Sequence, residues 1–296
     1  MTMQVDARGG MRRLLLPITI GYCAVVVALL VYWHLALTPD LLLLAFVPIG
    51  VLSGRFFRWV VDWVPFVILL MGWETLRDFA PHFAGLPAHN WAMRVELVVF
   101  RGQIPSVTLQ HWLDHGLSGQ ILGYGATFAY VAHFAVPLIF GVIAWLVARP
   151  VYGLYVVSLL AMSFAAFIVF LLLPTTPPWL AADYHFISPI DRIILSHLPP
   201  SVSPYYSHLN PDEFAAFPSM HAAFPFLALL AARRIGNWIA IPVAVWTLIV
   251  WFSIVYLGEH YVIDIVGGVA FAAAAWVVVN RLAERFAPQL KPLAKL

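Results

Sequence analysis

The chain has 296 residues, of which 62% are hydrophobic and only 10% are charged, with a formal net charge of +2. A soluble domain carries about 25% charged residues, so the composition excludes an ordinary soluble protein and points to an all-α, polytopic membrane helix bundle. The charge is too small and too scattered for a nucleic-acid partner, and the single cysteine, Cys23, excludes an intrachain disulfide.

A membrane span needs about 20 apolar residues. Apolar runs cover 14–37, 41–53, 59–73, 121–148, 151–173, 217–232, 238–257 and 261–280, which gives an expected count of eight spans. The second and third runs are short and together read alternatively as one broken hairpin, which lowers the count to six or seven. Arg12 and Arg13 precede the first run in the manner of a secretory signal. That run has no small-residue cleavage site, so it is expected to be a retained span.

The basic residues orient this layout. With the N-terminus inside, Arg8, Arg12, Arg13, Arg55, Arg58, Arg149, Arg233, Arg234, Arg281, Arg285, Lys291 and Lys295 fall on the inner face, twelve of sixteen. Arg77, Arg94, Arg101 and Arg192 fall outside. This asymmetry predicts cytoplasmic termini in a plasma-membrane protein. We expect a single integral membrane domain over 1–296. Residues 1–76 would form N-terminal spans, 77–120 an external amphipathic segment, and 121–283 the catalytic bundle. Within the external segment, the mixed stretch 90–100 suits a helix lying along the membrane surface. The external loop 174–216, rich in proline, is expected to form an ordered cap over one end of the bundle.

Two stretches stand out from the apolar background. Ala216-Phe217-Pro218-Ser219-Met220-His221 precedes a span, and Tyr256-Leu257-Gly258-Glu259-His260-Tyr261-Val262-Ile263-Asp264 joins the last two spans. Both lie at the outer end of the predicted bundle. Ionisable groups at membrane depth are costly and pair or serve a function. His260 and Asp264 are four residues apart, on one helix face. The carboxylate can therefore fix one imidazole nitrogen and present the other as base or nucleophile. Pro218 suits a first helical turn and Ser219 offers a hydroxyl. The free N–H groups of a helix start favour an anion, and His221 lies one turn further on. Either stretch alone reads as ordinary structural hydrogen bonding. Together they specify a phosphate-handling site.

On these residues the chain resembles the type-2 phosphatidic acid phosphatase and vanadium haloperoxidase superfamily. Its Pro-Ser-Gly-His motif is matched by Pro218-Ser219-Met220-His221, with Met for Gly. Its Ser-Arg-x5-His-x3-Asp motif is matched by Ser253, His260 and Asp264, with Ile254 in place of Arg. The phosphatases' Lys-x6-Arg-Pro motif is absent. The chain is more similar to the inositol phosphorylceramide synthase branch. That likeness runs through Arg101-Gly102-Gln103-Ile104-Pro105-Ser106, Leu109-Gln110, Tyr130-Val131-Ala132-His133-Phe134 and Leu173-Pro174-Thr175-Thr176-Pro177-Pro178-Trp179. It covers about residue 95 to 280.

The resemblance implies that His260 attacks phosphorus while Asp264 orients it. His221 would protonate the departing diacylglycerol oxygen and then deprotonate the acceptor hydroxyl. Ser219, Arg101, Arg192, His133 and Trp179 are candidate substrate-binding residues, against plain readings as loop charges, a buried histidine and an interfacial anchor. Glu259 reads as an exposed rim residue. No metal or other cofactor is expected; the expected partners are a phospholipid substrate, a lipid acceptor and the bilayer. Loss of the phosphatases' cations favours a monoanionic diester over a dianionic monoester. The expected activity is transfer of a phosphorylated head group, inositol phosphate in the leading case, to a lipid hydroxyl. The alternatives are a lipid phosphate phosphatase and a non-enzymatic transporter of lipid or polyprenyl phosphate.

Overall fold

In hydrocarbon a backbone can satisfy its polar groups only internally, and the apolar runs accordingly fold as helices. The computed structural model describes residues 39–84, 90–133, 135–197 and 214–286, with seven positions between 17 and 29. In chain order the helices are α1 (Pro39–Leu52), α2 (Phe56–Ala84), α3 (Trp91–Val99), α4 (Pro105–Leu113), α5 (Gly116–Ala132) and α6 (Val136–Val147). They continue with α7 (Arg149–Leu172), α8 (Pro178–Asp183), α9 (Ile193–His197), α10 (Met220–Ala232), α11 (Asn237–Tyr256) and α12 (Val262–Phe286). Extended pairing among the described residues is confined to one bridge between Thr175 and Ala215.

The protein is an integral membrane helix bundle, and its described residues carry fewer candidate spans than the expected eight. Among the described residues four helices are long and apolar enough to cross a membrane: α7, α11, α12 and the Phe56–Arg77 part of α2. α5 and α6, bent by 55° at the break between them, make a fifth if taken as one span. The expected first span, 14–37, lies almost wholly outside the described residues. At 1.5 Å per residue a helix needs about 20 residues to cross a hydrocarbon core of about 30 Å. α10 has only 13. An apolar run thus reports burial, and protein can provide it as well as lipid.

α10 shows this most clearly. It packs against α6, α7, α11 and α12, and its Ala222, Ala223, Ala228, Ala231 and Ala232 have no exposure. Small side chains let the surrounding backbones come close, so a short helix becomes the centre of the bundle. α3 and α4 are two short helices that follow the long α2. α3 packs on α12 and α4 on α11, while Val98, Val99, Phe100, Trp112 and Leu113 are exposed apolar residues.

At the bundle end remote from His260, Asp62 ties three helices together. Arg149 donates to both of its carboxylate oxygens at 2.7 Å, and Trp145 Nε1 donates at 2.8 Å. Tyr152 Oη donates to the Asp62 carbonyl at 2.9 Å. Replacing Asp62 by Asn removes the charge from this bidentate pair and should cost about 1–3 kcal/mol. The expected outcome is a lower unfolding midpoint in detergent, with turnover per folded molecule retained.

Candidate active site

The site is assembled where α10 begins and where α11 passes into α12. Ser219 caps α10, its Oγ accepting from the Ala222 N–H at 3.2 Å, and its own N–H donates to the Asp264 carbonyl at 3.0 Å. The cap is pressed against Gly268, where an added Cβ would lie 2.2 Å from the Ser219 carbonyl oxygen. Any larger residue at 268 would drive the two helices apart. Gly258 turns the chain between α11 and α12 at φ +74°, and a Cβ there would meet Ile190 at 2.5 Å.

Asp264 in the first turn of α12 is fully enclosed. Its Oδ2 accepts from the Tyr261 N–H at 2.8 Å and lies 3.5 Å from Nδ1 of His260. The other ring nitrogen, Nε2, is 3.1 Å from Nδ1 of His221. Carboxylate and two imidazoles are thus aligned as Asp264–His260–His221, with hydrogen-bond distance between the two rings and a longer, 3.5 Å ion-pair approach between His260 and Asp264. His221 is stacked on Tyr130, ring centres 4.4 Å apart, and His133 lies 3.8 Å away by the same measure.

These rings face a cavity of about 40 Å³, lined by Arg77, Tyr130, His133, Phe170, Trp179, His221 and His260 among others. It has room for a few water molecules. A phosphoryl group can enter only if the direct His221–His260 contact opens. His133, at the break between α5 and α6, is in the cavity, and its Nδ1 bonds the Tyr130 carbonyl. Trp179 lines it too, held by its N–H to the Gly258 carbonyl at 3.0 Å. Three other candidate substrate-binding residues are not brought to the cavity wall. Ser219 does not line the cavity, because its oxygen and N–H are used in the cap and the contact with α12. Arg192 lies against the Trp179 ring, its guanidinium carbon 3.6 Å from the ring centre, and is not itself a lining residue. Arg101 is exposed in a turn at φ +54° and is likewise no lining residue. Glu259, read as a rim residue, is buried and lines the cavity. Among the described residues no set of three His, Cys, Asp or Glu side chains is arranged to hold a metal ion.

Two residues with positioning roles were not legible as such. Glu96 of α3 is buried, and its Oε1 accepts the Val262 N–H at the start of α12. Burial pushes its carboxyl up to about 7, with the neighbouring Asp264 charge adding to the shift. Gln110 of α4 donates to the Tyr256 and Asp191 carbonyls at 2.9 and 3.1 Å and accepts from the Asp191 N–H at 2.8 Å. It fastens the segment before α9 to the end of α11. No periodicity marks either residue. Glu96 was marked only as a polar side chain amid apolar neighbours, and Gln110 only as part of the stretch that carries the family likeness.

With this geometry in place, comparison with known proteins is informative. Residues 105–278 match the PAP2 superfamily. The chain belongs to that superfamily. It is also 27% identical, over 164 residues, to the phosphoinositol dihydroceramide synthase of Bacteroides thetaiotaomicron. That match covers 50% of this chain and 52% of the relative, so the chain spans about half the length of the curated relative it matches. No solved structure matches. The superfamily match takes in α4 through most of α12 and thus the whole His221–His260–Asp264 chain. Arg77 and Glu96 lie outside it.

The raised carboxyl of Glu96 gives a signed pH effect. Below its ordinary value of 4.5, folded and unfolded chains both hold the proton; between 4.5 and about 7 the unfolded chain loses it first. Ionisation of Glu96 therefore makes folded-state stability fall as pH rises through that window and level off above it. In Glu96→Gln this component should vanish. Thermal unfolding of both proteins across the window measures it, as a flatter dependence in the variant.

Proposed function

We propose that this PAP2 superfamily member is a lipid phosphotransferase that moves a phosphorylated head group from a phospholipid diester to a lipid hydroxyl. The observation that carries the reading is the 3.1 Å approach of His260 Nε2 to His221 Nδ1, with Asp264 behind His260 in a cavity at one end of a membrane bundle.

In this mechanism Asp264 holds the Nδ1–H tautomer of His260 and leaves Nε2 with its lone pair. Nε2 attacks phosphorus, and the bond from phosphorus to the diacylglycerol oxygen breaks. His221 gives that oxygen a proton, so diacylglycerol departs and a phosphohistidine remains. The acceptor hydroxyl then gives its proton to His221 and attacks phosphorus, and the P–N bond breaks to regenerate His260. Protons balance across the two steps. Phe170, Trp179 and Phe224 supply the apolar part of a wall that is otherwise polar, and burial strengthens the charges within.

The synthase named in the comparison suggests phosphoinositol as the head group and phosphatidylinositol as the donor. Membership of the superfamily itself favours a second reading, in which water is the acceptor and a lipid phosphomonoester is hydrolysed. The charge inventory supports the diester: Ile254 stands in the Ser-Arg-x5-His-x3-Asp motif, and the helix start at Ser219 is already capped. We further propose that the whole chain acts as one membrane domain, with both termini cytoplasmic and the site on the outer face.

Two measurements test these statements. Lipid mass spectrometry should show diacylglycerol and a new head-group lipid from phosphatidylinositol plus an acceptor, faster than any reaction of phosphatidic acid at neutral pH. His260→Ala and Asp264→Asn should reduce that turnover by about 10⁴-fold while leaving the protein folded. Release of inorganic phosphate from phosphatidic acid, with no diester consumed, establishes the phosphatase instead. For sidedness, single cysteines at Ser188 and Asn237 in a background lacking Cys23 should meet an impermeant reagent from outside only at position 188. Labelling of 237 alone reverses the orientation.

A further inference from the structure

The cavity has a charge problem that the three histidines do not solve. A phosphodiester entering it is an anion taken out of water, and such a group needs fixed positive donors. At the helix start the N–H groups of Ser219, Ala222 and Ala223 are used by the Asp264 carbonyl, the Ser219 side chain and the Ser219 carbonyl respectively. Backbone donation therefore falls to the uncharged first turn at Met220 and His221. Glu259 also lines the cavity and is a carboxyl group, not a cationic donor. Arg192 is beyond Trp179, and Arg101 is in an exposed turn.

One cation does line it. Arg77 comes from the end of the apolar part of α2, outside the segment that matches the superfamily. Its side chain is 13% exposed, and Nη2 bonds Glu74 Oε2 at 2.9 Å, one turn back on the same helix. The guanidinium carbon lies 5.4 Å from the centre of the Trp73 ring, and Nε is buried with no hydrogen-bond partner among the described residues. It shares the cavity wall with His133 and His221. A half-used guanidinium with a buried, unpaired N–H is poised for a second acceptor. Guanidinium geometry suits two oxygens of a phosphoryl group.

We propose that Arg77 is the anchor for the substrate phosphoryl group, kept neutralised by Glu74 while the cavity is empty. This rests on the cavity being a phosphoryl site, and it deepens that reading by supplying the fixed cation from the N-terminal half of the chain. Substrate oxygens take the place of, or share, the Glu74 contact. Glu74 then acts as an internal competitor that sets affinity, and a single guanidinium matches a single negative charge.

The test uses the full chain in detergent with two soluble probes, inorganic phosphate and glycerophosphoinositol, and measures binding by calorimetry at neutral pH. Arg77→Gln should weaken binding of each probe the wild type holds by about tenfold to hundredfold. Arg77→Lys, which keeps the charge but not the fork, should lie between. Glu74→Gln should change affinity in the opposite direction, tightening it several-fold, which a merely misfolded variant would not do. Unchanged binding in Arg77→Gln, or a wild type that holds neither probe, overturns the proposal. Turnover separates this from the transferase reading. Probe binding that depends on Arg77 without any transfer product supports the anchor and removes the transferase. Transfer by Arg77→Gln with an unchanged KM removes the anchor and leaves the transferase.

Discussion

Asp264 has no exposure at all, and a carboxylate taken out of water must find its donors within the protein. Much of the surrounding structure answers that requirement. The turn at Gly258 brings Tyr261 round so that its N–H reaches Oδ2, and places His260 one turn from the carboxylate. The same strand of contacts extends backwards: the Asp264 carbonyl receives Ser219, which caps the helix carrying His221. One buried charge therefore specifies where two histidines stand relative to each other. Gly268 makes this possible by letting backbone meet backbone where any side chain would intervene.

The helical break after Ala132 supplies the rest of the cavity. Non-helical backbone at membrane depth is tolerated where protein buries it or where it lines a polar space. Here the break carries His133 into the wall beside His221, and Pro137 starts the next helix. α5 and α6 together have the length to cross the membrane, but the 55° bend turns a simple span into part of a binding site.

The sequence revealed the parts of this arrangement whose logic is local. A spacing of four between His260 and Asp264 is a statement about one helix face, and Pro218-Ser219 before an apolar run is a statement about a helix start. Both are written in neighbouring residues. The span count was less legible, because α10 is as apolar as a lipid-facing helix yet lies inside the bundle. Hydropathy does not distinguish the two solvents. Arg77 and Glu96 were hidden for another reason. Each reaches the site from a helix distant in sequence, and in one dimension Arg77 is merely a charge at the end of a span. Ser219, by contrast, looked like a ligand because a hydroxyl at a helix start can bind either an anion or its own backbone. Here the backbone contacts use it.

The external helices have a mechanical role in the site. α3 offers exposed Val98 and Val99 on one side and on the other inserts Glu96 against the first N–H of α12. α4 exposes Trp112 and, through Gln110, grips the last carbonyl of α11. The two arms of the hairpin that holds His260 are thus tied to a pair of short helices whose other faces expose apolar side chains. Whatever covers those faces is joined, through one carboxyl group and one amide, to the turn between α11 and α12.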